Sequence, residues 1–332
     1  MNGARVAIAI RGVVLLAALA SGCAGASGAP ATTPPNPKVT ALVMVHLEAG
    51  ADGRYAVFRR IVNTELGLGP EAITTTSLAY QRALWPTTVR LVALADKYGV
   101  RLTLGLNPQW AEYVLQSDER VAVVREWKRR GHELAFQHHG INHLDWNGYT
   151  NRFAGAHHDD DARHLARFRN GGYRGTADEG FRWLQELGGR TGPPERVVTG
   201  TVTDTRIDKP VGITILTEGG RELPGDLISR PRKQLLAEGE MTWLRHAQLR
   251  SDFNDPGSTA YDLDQNHSLS RAQLQRFEDA AGTASNGDIV GVVFHEFDFY
   301  RFPDVYEDWF AFLRSRGIAS RTASELVREY AR

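Results

Sequence analysis

Apolar positions along the chain change their period in a regular order. "VTALVMVHL", residues 39–47, is an unbroken β-branched and apolar run, the pattern of a strand buried on both faces. "TTVRLVALADKYG" sets Val89, Leu91, Val92 and Leu94 at helical spacing and closes on Gly99, which predicts a helix with a glycine stop. "VRLTLGL" predicts the next strand, "PQWAEYVLQ" and "ERVAVVREWKRRG" two helices, and "HELAFQ" a further strand. "TADEGFRWLQELGG" predicts a helix opened by a capping box, Thr176 with Glu179, and ended by paired glycines. From about Val197 to Arg250, β-branched runs are broken by Gly, Pro and Asp, which predicts β-rich loops or an added hairpin. "LSRAQLQRFEDAAG" returns to helix and "DIVGVVFHEF" to a buried strand, before "VYEDWFAFLRSRG", "IAS" and "TASELVREYAR" close the chain. Strand and helix in alternation predict an α/β fold on a parallel sheet.

The first residues break this pattern. "MNGARVAIAIRGVVLLAALASGCAG" has Arg5 and Arg11, a short apolar run and small residues leading to Cys23, the single cysteine, so residues 1–23 predict an export signal. The run is shorter than the ~20 apolar residues a membrane-spanning helix needs. "LASGC" resembles the bacterial lipoprotein signal, with Ala20 where leucine is usual, and the resemblance implies that Cys23 is lipidated and anchors an exported protein to the cell membrane, on its periplasmic or extracellular face. Residues 24–38, rich in Ala, Pro and Thr, predict a disordered tether, leaving 39–332 as one catalytic domain. With one cysteine, no internal disulfide forms within the chain. Lys plus Arg and Asp plus Glu number 39 each, so the chain lacks the positive excess that nucleic acid binding requires, and nothing in it implies a protein partner.

In a parallel α/β sheet or barrel, functional side chains gather at the C-terminal strand ends. Three polar constellations fall there: "VMVHLEAG" with His46 and Glu48, "AFQHHGINH" with His138, His139 and His143, and "VVFHEFDF" with His295, Glu296 and Asp298. His46 and Glu48 stand two apart, so a strand points both to one side, where buried ionisable groups need water or a partner such as a metal. Continued alternation sets His295 opposite to Glu296 and favours His295 for the site. His139 and His143, four apart, share a side if the segment makes a helical turn. His132 reads as structural, and "HHDDDARH", His157 to His164, as a solvated loop.

With these residues placed, the order resembles the polysaccharide deacetylase family. "LADKYGVRLTLGL" is similar to its second strand, "RRGHELAFQHHGINH" to its Gly-His-Glu strand followed by His-x-x-x-His, "GVVFHEF" to its late strand ending in a functional histidine, and "GIASRTASELV" to its closing strand and helix. The resemblance implies a distorted (β/α) barrel of about seven parallel strands, with a β-rich insertion around 197–250. It further implies a hydrolase that removes acetyl or other N- or O-acyl groups from an envelope or extracellular polysaccharide. By the same resemblance Glu48, His139 and His143 bind a divalent metal, most plausibly zinc, with His46 taking a proton from water and His295 returning one to the leaving group. The first motif departs from the family: His46 stands where an acid is expected, and the strand before the paired histidines has an extra residue, so His138 competes with His139 as ligand. Two other readings are a non-catalytic glycan-binding lipoprotein on the same fold, with Trp110, Trp146 or Trp243 stacking on sugar, and a glycoside hydrolase on a related barrel.

Overall fold

A computed structural model describes residues 39–49, 62–69, 72, 74–141, 146–154, 172–202, 205–220, 228–236, 239–248 and 263–330. The expected export signal, Cys23 and the tether lie outside the described residues, as do His143 and residues 157–164. The strands are β1 (Val39–Leu47), β2 (Leu102–Leu106), β3 (Glu133–His138), β4 (Thr199–Val202), β5 (Ile215–Gly220), β6 (Ile228–Ser229), β7 (Arg232–Leu236), β8 (Gly239–Gln248), β9 (Asp288–His295) and β10 (Ala319–Ser320). The helices that frame the site are α1 (Ala79–Tyr98), α2 (Pro108–Leu115), α3 (Asp118–Arg129), α4 (Ala177–Arg190), α5 (Leu263–Thr283), α6 (Glu296–Arg301), α7 (Pro303–Ser315) and α8 (Ala323–Tyr330).

Parallel pairing runs from β1 through β2, β3, β4, β5 and β8 to β9, and β9 pairs back onto β1 from Val39↔Asp288 to His46↔His295. Among the described residues this makes a curled parallel sheet of seven strands, the distorted barrel that the motifs imply. Within it the ladders are shortest where β4 meets β5, over Thr199↔Ile215 and Gly200↔Leu216, and where β8 meets β9, over Ala247↔Val292 and Gln248↔Val293. The stretch around 197–250 is β-rich as expected, and most of its described residues are woven into the sheet: β4, β5 and β8 are parallel members, while β7 folds back on β8 as an antiparallel hairpin.

Alternation along β1 and β9 sorts the apolar side chains into two cores. Ala41, Val43, Val45 and Leu47 of β1, with Val290, Val292 and Phe294 of β9, face outward and pack with Leu91 of α1, Trp110 of α2, Val124 of α3 and Trp309 of α7. Leu42, Met44, Ile289 and Val293 face inward with Ile215 and Leu244, where Ala323 and Leu326 of α8 join them. Glu133, at the start of β3, locks α8 in place. Its carboxylate accepts from Thr199 Oγ1 at 2.6 Å, from Ser324 N at 3.0 Å and from Ser324 Oγ, while Ala323 N donates to Thr103 Oγ1 at 3.0 Å.

Two helices differ from their sequence reading. Helix α1 begins at Ala79, about two turns before the expected start at Thr87, and carries Pro86 within it; Gly99, at φ 70°, ends it as expected. Helix α4 has the expected capping box but runs on through Gly188 and Gly189 to Arg190. At Gly188 a side chain is excluded by its neighbour, since a Cβ would stand 2.4 Å from Glu195 O. That glycine serves close packing of the returning chain, not termination.

Candidate metal centre

The inward alternation of β1 continues past its apolar positions: after Leu42 and Met44 come His46 and then Glu48. On β9 the same alternation carries Val293 to His295, which stands directly opposite His46 in the register, with ring centroids 5.6 Å apart. Gln137 and His139 occupy the corresponding positions at the end of β3. An apolar interior layer is thus capped by a polar one at the C-terminal strand ends, the expected place for chemistry.

Glu48 is the centre of that layer. It is fully buried, and its Oε1 lies 3.3 Å from both His139 Nε2 and His295 Nε2. Gln137 Nε2 donates to its two oxygens at 3.3 and 3.2 Å. One ligand atom each from His46, Glu48 and His295 lies within 4.8 Å of the others. Gly105 on β2 leaves room for this convergence: a Cβ there would sit 3.3 Å from Gln137 Cβ and 3.4 Å from His46 Cδ2.

The Glu48 backbone is held as closely as its carboxylate. Its N–H donates to Glu296 Oε1 at 3.0 Å, and its carbonyl accepts from Trp110 Nε1 at 2.9 Å and from Gln81 Nε2 at 3.4 Å. Tyr80 OH donates to the same Glu296 oxygen at 2.9 Å. The sequence reading set Glu296 opposite to His295. The strand ends at His295 and α6 starts at Glu296, whose carboxylate meets Tyr80 of α1 and the Glu48 backbone while His295 faces the Glu48 carboxylate.

His295 is also fixed from behind, with Nδ1 3.1 Å from Asp298 Oδ2. Burial disfavours a charge on this ring, but the hydrogen bonds to Asp298 and Glu48 outweigh it, and its pKa is pushed up to about 10. His138 belongs to a different arrangement. Fully buried and stacked on Phe136, it meets Asp208 Oδ2 at 3.3 Å through Nε2 and Asn147 Nδ2 at 3.1 Å through Nδ1. Burial pushes the Asp208 carboxyl upward, yet His138 and hydrogen bonds from Asn151 N and Thr150 hold it below its ordinary value. Of the two adjacent rings it is therefore His139 that faces Glu48.

The structure brings together His46, Glu48, His139 and His295; the remaining expected ligand, His143, is outside the described residues. Three imidazoles about one carboxylate are nitrogen and oxygen donors of the kind a catalytic divalent ion takes, zinc among them. Gln137 stands two residues before His139 in "FQHH" and was within reach of the alternation argument; nothing local marks Tyr80, Gln81 or Asp208. The tryptophans considered for sugar stacking are otherwise engaged. Trp110 is buried beneath Glu48, Trp146 is buried with Nε1 donating to Tyr149 O at 3.1 Å, and Trp243 on β8 packs half-buried against the core.

No family model matches the chain, and no curated protein matches it. Solved structures similar to it include a Mycobacterium smegmatis protein assigned as a polysaccharide deacetylase, at 13% identity over 91% of this chain and 95% of that one, with a TM-score of 0.47. A family 4 acetyl xylan esterase from Clostridium thermocellum, solved in complex with a cobalt ion, is 12% identical over 89% of this chain and 92% of that one, TM-score 0.38. The 4-alpha-glucanotransferase of Thermococcus litoralis is 10% identical over 88% of this chain and 38% of that one, TM-score 0.43. Polysaccharide deacetylases, which the sequence motifs resemble, are thus among the solved structures to which this chain is similar.

Proposed function

We propose that this chain is a metal-dependent hydrolase that removes acyl groups, acetyl foremost, from a polysaccharide. The observation that carries the reading is the meeting of His46, Glu48, His139 and His295 at the C-terminal ends of three barrel strands, with two imidazoles 3.3 Å from one carboxylate oxygen. A divalent ion held on Glu48 and its imidazoles, zinc by the donor chemistry, supplies polarisation of the acyl carbonyl and acidification of water. The chain's own groups share two tasks, holding the ion and moving protons. The motif resemblance divides them as Glu48, His139 and His143 for the ion and His46 and His295 for the protons. Glu48 is common to every division, and Gln137, Glu296, Trp110 and Gln81 keep it in place.

Glycosidic cleavage requires two carboxylates that flank the scissile bond. Glu296, the nearest second acid, instead accepts from the Glu48 amide and Tyr80, which ties it into the wall. The N-terminal motif extends the proposal to place: a lipid on Cys23 holds the enzyme to the cell membrane with its substrate in the envelope or outside the cell. No helix among the described residues is long and apolar enough to cross a membrane.

Glu48→Gln keeps the size and hydrogen bonding of the side chain but not its charge. It is expected to lose the bound ion and to lower acetate release from acetylated oligosaccharides by about 10³-fold, the scale of several kcal/mol of transition-state stabilisation. Mass-spectrometric metal content and an acetate assay on the purified variant check this. Full activity in Glu48→Gln contradicts the reading.

A further inference from the structure

Resting on the metal-dependent reading above, we infer that the ion is held by His46, Glu48 and His295, the imidazoles of His46 and His295 taking the places that the motif resemblance gives to His139 and His143. Three features carry the assignment. The first is mutual distance: these residues offer one donor atom each within 4.8 Å of one another. Donors bound at ~2.0–2.2 Å to one ion stand only a few ångströms apart, so the set closes on an ion with small side-chain movement.

The second is register. His46 and His295 are direct partners across the long β1–β9 ladder, and Glu48 follows His46 by one inward step. All three come from two neighbouring strands, or the residue next to one of them, whose backbones are fixed by continuous pairing. Rigid elements hold a coordination geometry better than loops do.

The third is what stands behind the rings. Metal-bound histidines characteristically give their other ring nitrogen to a carboxylate or carbonyl, which fixes the ring and its tautomer. His295 has that partner: Nδ1 meets Asp298 Oδ2 at 3.1 Å, so that Nε2 faces Glu48 at 3.3 Å. On this assignment His46 does not mark a lost acid. It is a donor on the β9 side of Glu48, and His139 stands at 3.3 Å from Glu48 on the β3 side.

The test is zinc affinity and stoichiometry, measured by calorimetry and by metal content on the chelated and reloaded protein, for His46→Gln, His295→Gln, Asp298→Asn and His143→Gln. His46→Gln and His295→Gln are expected to weaken zinc by at least about 10²-fold, Asp298→Asn by about 10- to 100-fold, and His143→Gln by less than threefold. Circular dichroism of the metal-free proteins separates loss of ligand from loss of fold. For any variant that does not fold, the number of imidazoles around cobalt in the wild type, read by X-ray absorption with and without His143→Gln, decides in its place. An unchanged imidazole count in His143→Gln supports the assignment. Zinc loss in His143→Gln as large as in His46→Gln overturns it while leaving the hydrolase reading intact. A wild type that takes up no divalent ion overturns both.

Discussion

Glu48 is fastened at its amide, its carbonyl and its carboxylate, by Glu296, by Trp110 and Gln81, and by Gln137. Such support fixes a reactive group before anything binds, which is how a site gains precision from ordinary packing. His295 shows the electrostatic side of the same arrangement. Its ring sits between Asp298 and Glu48, and its pKa rises from 6.5 to about 10 despite burial. A raised pKa means that the folded chain binds this proton more tightly than the unfolded one. In chelator-treated protein the resulting stability is therefore fully present below about pH 6.5 and is lost as pH rises through about 10. Melting curves of the wild type and Asp298→Asn from pH 6 to 11 should converge as the alkaline limit is approached. A difference that stays constant over that range contradicts the assigned role of Asp298. Glu48 and His295 are readable in the sequence, because a strand that carries Leu42 and Met44 inward must carry His46 and Glu48 inward too. The supports of Glu48 from Gln81 and Glu296 were not, because they join parts of the chain far apart in sequence.

At the scale of elements, long periodic runs were legible and their ends were not. Val39–Leu47 and Asp288–His295 emerge as buried strands, and Gly99 stops its helix. The start of α1 was missed because the helical spacing that predicted it begins only at Val89, and the earlier turns include Pro86, which a helix with tertiary support accommodates. The paired glycines of α4 were read as a stop because their packing partner, Glu195, is visible only in three dimensions. Latching of α8 is likewise a tertiary matter. Ser324 and Thr199 both donate to Glu133 from distant parts of the chain. Glu133→Ala removes the acceptor and should destabilise the protein by about 1–3 kcal/mol, measured by denaturant unfolding, with loss of protection at Ser324 in hydrogen exchange. Unchanged stability would mean that α8 is held without Glu133.

Across the whole molecule, the return of β9 onto β1 does two things at once. It closes the inner apolar core of Leu42, Met44, Ile289 and Val293, and it sets His46 against His295 one layer above. The alternation of strands and helices made a parallel α/β fold legible, but this closure, a pairing between residues some 250 positions apart, has no local signature. Neither did the membership of β4, β5 and β8 in the sheet, since broken β-branched runs look alike in a barrel strand and a surface hairpin. The central claim concerns what that closure assembles: an ion-dependent acyl hydrolase centred on Glu48. Its most direct test is acetate release from acetylated polysaccharide fragments by the wild-type protein, stripped with chelator and then reloaded with zinc or cobalt in stoichiometric amounts. The account predicts loss of activity on stripping and recovery at about one ion per chain. Turnover that persists unchanged in the stripped, metal-free protein would contradict it.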